Sequence, residues 1–118
     1  MTERRIIEPS EWEDFLAEFS ERNRGRRARF DLFEQSGQTE EESAEGVFER
    51  AALNGHRVTV ERSYEAASGR RLETDEINDV HGITVQYDTD GSENTMEFMN
   101  HDGDMTQLHF ESLVDGDS

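Results

Sequence analysis

The apolar residues of this chain are few but strictly periodic, and that periodicity limits the folds available to it. One stripe has the i, i+3, i+4, i+7 spacing of a helix face and consists of Trp12, Phe15, Leu16 and Phe19. Residues 9–24 are therefore predicted to form an amphipathic helix. Ser10 is the predicted N-cap, and Glu13 completes a capping box with it. Gly25 is predicted to follow the C-terminus of the helix.

The rest of the chain alternates apolar and polar residues, which is typical of half-buried strands. The alternating segments are 26–34, 56–64, 81–88, 95–100 and 105–111. Residues 46–53 fit a helix or a strand. A strand is favoured, because Gly46 would cost a helix about 1 kcal/mol. Asn54-Gly55 also suits a two-residue hairpin turn. Residues 65–76 show no alternation and are predicted to be a loop.

These segments predict a single α+β domain over residues 1–118, with the helix packed on a twisted antiparallel sheet of five or six strands. The ordered core is expected over about 8–113. We expect a mobile acidic loop at about 35–45 and a frayed acidic tail at 114–118. The predicted sheet core consists of Phe30, Leu32, Val58, Val60, Ile83, Val85, Met96, Phe98, Leu108 and Phe110.

Two Asp-Gly pairs near the end of the chain have the composition of hairpin turns. In the second, Asn100 paired with Asp104 gives a three-residue loop with a bulge at Gly103. That register places Met96 opposite Leu108 and Phe98 opposite Thr106, on one side of the sheet. In the first, the loop must include Ser92 to place Val85 opposite Met96.

The same acidic turns are the candidates for a metal site, although the pattern is weak. An EF-hand loop needs a glycine at its sixth position and a glutamate at its twelfth. From Asp88 those positions hold Glu93 and Met99, so the pattern fails. Loose divalent-cation binding stays open, with the candidate ligands Asp88, Asp90, His101, Asp102 and Asp104. No histidine pair has HxH or HExxH spacing, so the chain is expected to have four independent surface histidines, His56, His81, His101 and His109.

Charge is the strongest feature of the composition. Twelve basic residues, all arginine, stand against 29 acidic ones, for a net charge of −17. Self-repulsion of this size opposes compaction, and concentrated salt screens it. The chain is therefore expected to come from a salt-adapted bacterium. The absence of clustered cations argues against nucleic-acid binding. Residues 72–118 contain 13 acidic and no basic residues, so an acidic DNA mimic that binds a basic protein is one alternative.

The sequence shows none of the common signatures of catalysis. It has no cysteine, no GxSxG and no P-loop. We expect no enzyme activity, no catalytic residue and no cofactor. The chain lacks an apolar run long enough for a membrane and an apolar signal segment at its start, which favours the cytoplasm. The expected function is that of a binding or assembly module that contacts a protein partner, or itself, through the sheet face and the acidic strands. Besides this module and the DNA mimic, a second alternative is a weak divalent-metal-binding protein or an enzyme that uses the acidic turns.

A further apolar residue lies off the predicted core. Met99 alternates with Met96 and Phe98, so it falls on the other face of its strand. If Phe33 and Tyr64 share that face, they form an apolar patch suited to a dimer contact.

Three stretches together resemble domain-of-unknown-function family 5335, a family of small bacterial proteins. The first is Glu8-Pro9-Ser10-Glu11-Trp12 with Phe15 and Phe19 behind it. The second runs from Glu45-Gly46-Val47 through Asn54-Gly55 to Val58-Thr59-Val60. The third runs from Met96-Glu97-Phe98 through Asp102-Gly103 to Thr106, Leu108 and Phe110. The chain departs from the family at Arg26-Arg27, where an aromatic residue is common, and in the acidic loop 35–45. The resemblance implies a strand at 46–52 and implies no activity, cofactor or catalytic residue.

Overall fold

The computed structural model describes residues 3–33, 39–41, 46–67 and 69–111. They contain one 3-10 turn, one helix and nine strands. Those elements are β1 (Glu3–Ile7), the 3-10 turn (Pro9–Glu11), α1 (Trp12–Asn23), β2 (Arg27–Phe33), β3 (Thr39–Glu41), β4 (Gly46–Asn54), β5 (Arg57–Ala66), β6 (Gly69–Ile77), β7 (Val80–Tyr87), β8 (Glu93–Asn100) and β9 (Met105–Phe110).

Helix α1 is present where it was predicted, but it begins differently. Ser10 lies inside the 3-10 turn, where the Glu11 N–H donates to the Glu8 carbonyl at 2.8 Å. A residue in that turn lacks the extended backbone of an N-cap, so the predicted capping box is wrong. The helix ends at Asn23. Trp12 is buried with the rest of the apolar stripe, and its indole N–H donates to the Ile7 carbonyl at 3.0 Å.

All strand pairs are antiparallel, and eight strands follow the order β1-β7-β8-β9-β2-β4-β5-β6, while β3 pairs with β2. The α+β prediction is confirmed, but the predicted count of five or six strands is wrong. Strands β1 and β6 were missed because both are sheet edges with mostly exposed side chains. An edge strand of this kind needs no apolar alternation. Strand β6 also replaces most of the loop predicted at 65–76.

Strand β3 falls inside the predicted acidic loop 35–45, so that part of the prediction is wrong. The short strand is held by backbone pairing with β2, which needs no apolar side chains. Residues 35–38 and 42–45 of the predicted loop lie outside the described residues, as does the predicted tail 114–118.

The sheet consists of two halves joined by a very short ladder. We call β1, β7, β8, β9 and β2 the five-strand half, and β4, β5 and β6 the three-strand half. Strands β2 and β4 pair only at Arg27–Val47 and Ala28–Gly46. Beyond this ladder the edge of β4 is met by the end of α1, where the Ala51 N–H donates to Ser20 Oγ at 2.9 Å. The helix therefore fills the opening between the halves.

The two halves curl toward each other around the core. Strands β6 and β7 lie near opposite ends of the strand order, yet only Asn78 and Asp79 connect them. A connection this short spans at most about 11 Å between the strand ends, so the sheet must curve back on itself. Phe19 of α1 lies in the interior, with edge-to-face contacts to Phe48 at 5.7 Å and Phe110 at 5.4 Å between ring centroids. The other nine residues of the predicted sheet core are buried, and the side chain of Leu32 lies outside the described residues.

Both predicted acidic hairpins are present. In the β8–β9 hairpin, Met96 faces Leu108 and Phe98 faces Thr106 as predicted, and Gly103 has a φ of 88°. In the β7–β8 hairpin, Val85 faces Met96 as predicted. The predicted longer loop is wrong, however.

The first acidic hairpin has the predicted register, although its loop is shorter than predicted. The Asp88 N–H donates to the Ser92 carbonyl at 2.8 Å, so the loop has only three residues. The pairs Tyr87–Glu93 and Gln86–Thr95 leave Asn94 as an extra residue in β8. This bulge corrects the alternation that a three-residue loop would otherwise break.

The β4–β5 turn is shifted by one residue from its prediction. Asn54 pairs with Arg57, so the two-residue loop consists of Gly55 and His56 rather than Asn54 and Gly55. Gly55 has a φ of 67°, which the first residue of such a loop requires. The strand prediction for 46–53 is confirmed.

Candidate functional site

The side chains of the five-strand half that point away from the core form a surface that we call the outer face. They alternate with buried core residues along each strand. Strand pairing arranges them in rows across the strands. One row is Arg4, Gln86, Thr95, His109 and Arg29, and the next is Ile6, Thr84, Glu97, Gln107 and Asp31. A third contains Gly82, Met99 and Met105. Helix α1 lies on the opposite side of the sheet, against the core.

Glu97 is buried although it points away from the core. Only 2% of the residue is exposed. Its carboxylate accepts hydrogen bonds from Arg4 Nη2 at 2.6 Å, from Gln86 Nε2 at 3.0 Å and from Gln107 Nε2 at 2.7 Å. These neighbours come from β1, β7 and β9, so the side chains of the sheet itself cover the carboxylate. A buried carboxylate with several donors is stable only when those donors stay in place.

A second group of the outer face surrounds His109. Its Nδ1 lies 3.0 Å from Thr95 Oγ1, and its Nε2 lies 3.0 Å from Asp31 Oδ2 and 2.9 Å from Gln107 Oε1. Burial lowers the pKa of His109, and the nearby Asp31 carboxylate partly opposes that shift. The imidazole is therefore mostly neutral at pH 7, and its two nitrogens are held by fixed neighbours.

The charges of the outer face nearly cancel within the described residues. Arg4, Arg27 and Arg29 stand against Glu97 and Asp31. Of the charged outward side chains of the three-strand half, four are acidic and three are basic, namely Glu49, Glu61, Glu65, Glu76, Arg50, Arg57 and Arg70. On a chain of net charge −17, the outer face is thus an area of small net charge.

Apolar side chains border this polar network. Ile6 is 75% exposed and Met99 is 42% exposed. Gly82 faces Met99 across the β7–β8 pair and leaves open space beside it. The expected sharing of this face with Tyr64 is wrong, since the Tyr64 ring lies in the three-strand half, 5.4 Å from the Arg62 guanidinium carbon. The side chain of Phe33 lies outside the described residues.

The candidate aspartates take part in turn hydrogen bonds, through their carboxylates in the first acidic turn and through their backbone N–H groups in the second. Asp90 Oδ1 accepts from the Ser92 N–H at 3.0 Å and from Ser92 Oγ at 2.6 Å, which lowers the pKa of Asp90. Asn100 Oδ1 accepts from the backbone N–H groups of Asp102 and Asp104, both at 3.0 Å. Asp88 Oδ1 accepts from Asn94 Nδ2 at 3.3 Å. These contacts are those expected of residues that stabilise turns.

The histidines are not independent, contrary to the prediction. The rings of His81 and His101 lie 4.1 Å apart between centroids, because β7 and the β8–β9 turn meet at one end of the sheet. His101 Nδ1 lies 2.9 Å from Asp79 Oδ1, and this hydrogen bond lowers the pKa of Asp79. Over residues 3–33, 39–41, 46–67 and 69–111, no three His, Asp or Glu side chains are grouped so that they could hold a metal ion.

A groove of about 680 Å³ lies between α1 and the β7–β8 turn. Glu93 is buried at this groove and bound by Arg22, with Nη2 to Oε2 at 2.5 Å, and by Asn23 Nδ2 at 2.9 Å. The hydrogen bond that Arg22 donates to Glu93 raises the pKa of Arg22. The guanidinium groups of Arg5 and Arg22 both lie 5.7 Å from the centre of the Phe15 ring. Arg22 and Glu93 are thus already bound to each other at this groove.

Sequence reasoning missed the buried glutamates. Glu93 gives no local signal, because its partners Arg22 and Asn23 are about 70 residues away. Glu97 does have a signal, since the correctly predicted register places it opposite Gln107. A carboxylate between long amide side chains on neighbouring strands is a pattern that predicts this network.

Scans against protein-family models, curated proteins and solved structures found no match. The resemblance to family 5335 therefore stays a prediction. Among the described residues, no helix is long and apolar enough to cross a membrane.

Proposed function

We propose that this chain is a non-catalytic binding or assembly module of a salt-adapted bacterium, that it works in the cytoplasm, and that its contact surface is the outer face. The observation that carries the proposal is the buried Glu97 carboxylate, held by three side chains from neighbouring strands. Such a network fixes the shape of the surface before any partner arrives. A preformed surface loses less side-chain freedom on binding than a mobile one.

The chemistry of the face favours contact over catalysis. A catalytic acid or base needs a reactive group within reach of a substrate proton. Glu97, Asp31 and His109 are instead bound to side chains of the same face. The neighbouring Ile6 and Met99 add exposed apolar area, which is typical of the centre of a protein contact.

The charge distribution supports the same proposal. The large negative charge of the chain keeps the protein soluble, while the outer face has only a small net charge. Association through an acidic surface would have to overcome repulsion from other acidic proteins of the same cell. An area of small net charge lowers that cost.

The test is chemical cross-linking in an extract of the organism that encodes the chain, made in its native salt. Three forms are compared, the unchanged chain, Met99→Glu on the outer face, and Leu72→Glu on the three-strand half. Leu72 is 57% exposed, so it is a matched exposed apolar residue. We expect one set of cross-linked products that Met99→Glu loses and Leu72→Glu keeps. Products that survive Met99→Glu, or their complete absence, would refute the outer face as the contact surface.

A further inference from the structure

We infer that the outer face binds a second copy of this chain, as a weak dimer that concentrated salt strengthens. The inference rests on the proposed function, because it assigns a partner to the same face. The partner that we assign is a second copy of the chain, rather than another protein that this sheet face could accept.

Charge is the first argument for a second copy. Two copies carry −17 each, so they repel one another in most orientations. On the outer face, the basic Arg4, Arg27 and Arg29 stand against the acidic Glu97 and Asp31. The net charge of this area is therefore small, and two copies can approach here with less repulsion than the total charge of the chain would give. A closed two-fold dimer brings the same patch of both copies together, which requires a patch of low net charge.

Shape and polarity are the second argument. Two sheets pack face to face at about 10 Å when their side chains interdigitate. The outer face has protruding Ile6 and Met99, and the space beside Met99 at Gly82 accepts an apolar side chain. Methionine adapts to irregular contacts, so Met99 and the neighbouring Met105 suit such packing.

The size of the face determines how tight the dimer is. Five strands about 4.8 Å apart and rows extending about 17 Å give roughly 400 Å² per copy in projection. Stable complexes bury about 800 Å² per partner, so this contact is weak and depends on concentration. Screening of the remaining charge shortens the Debye length from about 10 Å at 0.1 M salt to about 3 Å at 1 M. The dimer therefore gains in stability as salt rises.

The experiment is sedimentation equilibrium of the purified chain at protein concentrations from about 10 µM to about 1 mM, the range of weak complexes, in low and in molar KCl. We expect a monomer–dimer equilibrium whose Kd falls about tenfold or more with salt, as electrostatic repulsion is screened. Ile6→Glu and Met99→Glu each place a new charge on the face and should raise Kd at least tenfold. Leu72→Glu adds the same charge elsewhere and should leave Kd within about twofold. The unfolding midpoint of each variant checks that the fold is intact.

Two results would overturn the inference. A chain that stays monomeric at every concentration and salt has no self-contact. A dimer that Leu72→Glu weakens as much as Met99→Glu does uses another surface, or depends only on total charge. Self-association and the proposed function can fail separately. If the purified chain stays monomeric while the cross-linked products still depend on Met99, the face binds a different protein.

Discussion

Strand β8 buries side chains on both of its sides, but they are covered in different ways. On the inner side, Phe98 is 1% exposed and lies in the core between the two halves of the sheet. On the outer side, Glu97 is 2% exposed and is covered only by side chains of its own sheet. One strand thus buries an aromatic ring and a carboxylate on opposite faces.

This difference shows that burial stabilises the two sides to different extents. Removing an aromatic side chain from water contributes about 1.5–3 kcal/mol. A hydrogen bond gained on folding contributes only about 0.5–1.5 kcal/mol, because water is a good alternative partner. The inner side therefore supplies stability, while the outer side supplies a fixed arrangement of polar atoms.

The largest effect is expected for Phe98→Ala on the inner side. The substitution removes apolar contacts and leaves a cavity, so it should lower the free energy of unfolding by about 3–5 kcal/mol. Urea unfolding in molar KCl measures this change. A loss below about 1 kcal/mol would show that the core around β8 collapses or is not as close-packed as its burial indicates.

A smaller loss is expected for Glu97→Ala on the outer side. Arg4, Gln86 and Gln107 lose a shared acceptor but can turn to water, so the cost should be about 1–3 kcal/mol. Glu3→Ala, an exposed acid of the adjacent strand β1, is the control and should change stability by less than about 0.5 kcal/mol. A Glu97→Ala cost as large as that of Phe98→Ala would break the contrast between the two sides.

The next effect is a pH dependence that comes from His109. Burial lowers the pKa of His109, so the unfolded chain binds a proton at a higher pH than the folded chain does. Stability should then fall as pH drops through about 6.5 toward the folded pKa, and this group should have no effect above that window. Unfolding midpoints across that range should be flatter for His109→Gln than for the unchanged chain. An exposed-histidine control, His56→Gln, should keep the unchanged slope.

The smallest effect is expected from calcium. In the first acidic turn the Asp90 carboxylate accepts hydrogen bonds from Ser92, and in the second the backbone N–H groups of Asp102 and Asp104 donate to Asn100. These residues stabilise turns, so calcium should cause only small amide shifts spread over many carboxylates. A titration followed by NMR in molar KCl measures them. Saturable shifts confined to residues 88–92 and 101–104 would instead show a metal site. In that case the polar atoms of the turns, and not those of the outer face, would be the functional ones.

Local sequence patterns predicted much of the inner side of the molecule. The helix stripe and the alternating strands identified many of the buried residues, and turn composition fixed the β8–β9 register, but the buried Ile7, Phe48, Ala51 and Val80 were not predicted. Each of these depends on neighbours in the sequence. The register then predicted that Glu97 faces Gln107, although not that the carboxylate is buried.

The remaining features depend on contacts that no local pattern encodes. Strands β1 and β6 are edges with exposed, charged side chains, so their alternation carries no apolar signal. The Glu93–Arg22 pair joins residues about 70 positions apart. The bulge at Asn94 and the one-residue shift of the Gly55–His56 turn are small adjustments of the backbone. Turn composition does not predict them, because the same turn residues are compatible with more than one loop position.

The pairing order also has a consequence for how the chain folds. The hairpins of β4, β5 and β6 and of β7, β8 and β9 close over short loops, whereas β1 pairs with β7 and β2 pairs with β9 about 80 residues away. Closing such distant contacts costs chain entropy before it gains any contact energy. We therefore expect the two meanders to form first and the strands from the start of the chain to dock last, with folding in the slow range of about milliseconds to seconds. Until β1 docks, the edge of β7 stays unpaired. We expect misassembly to occur mainly during that interval.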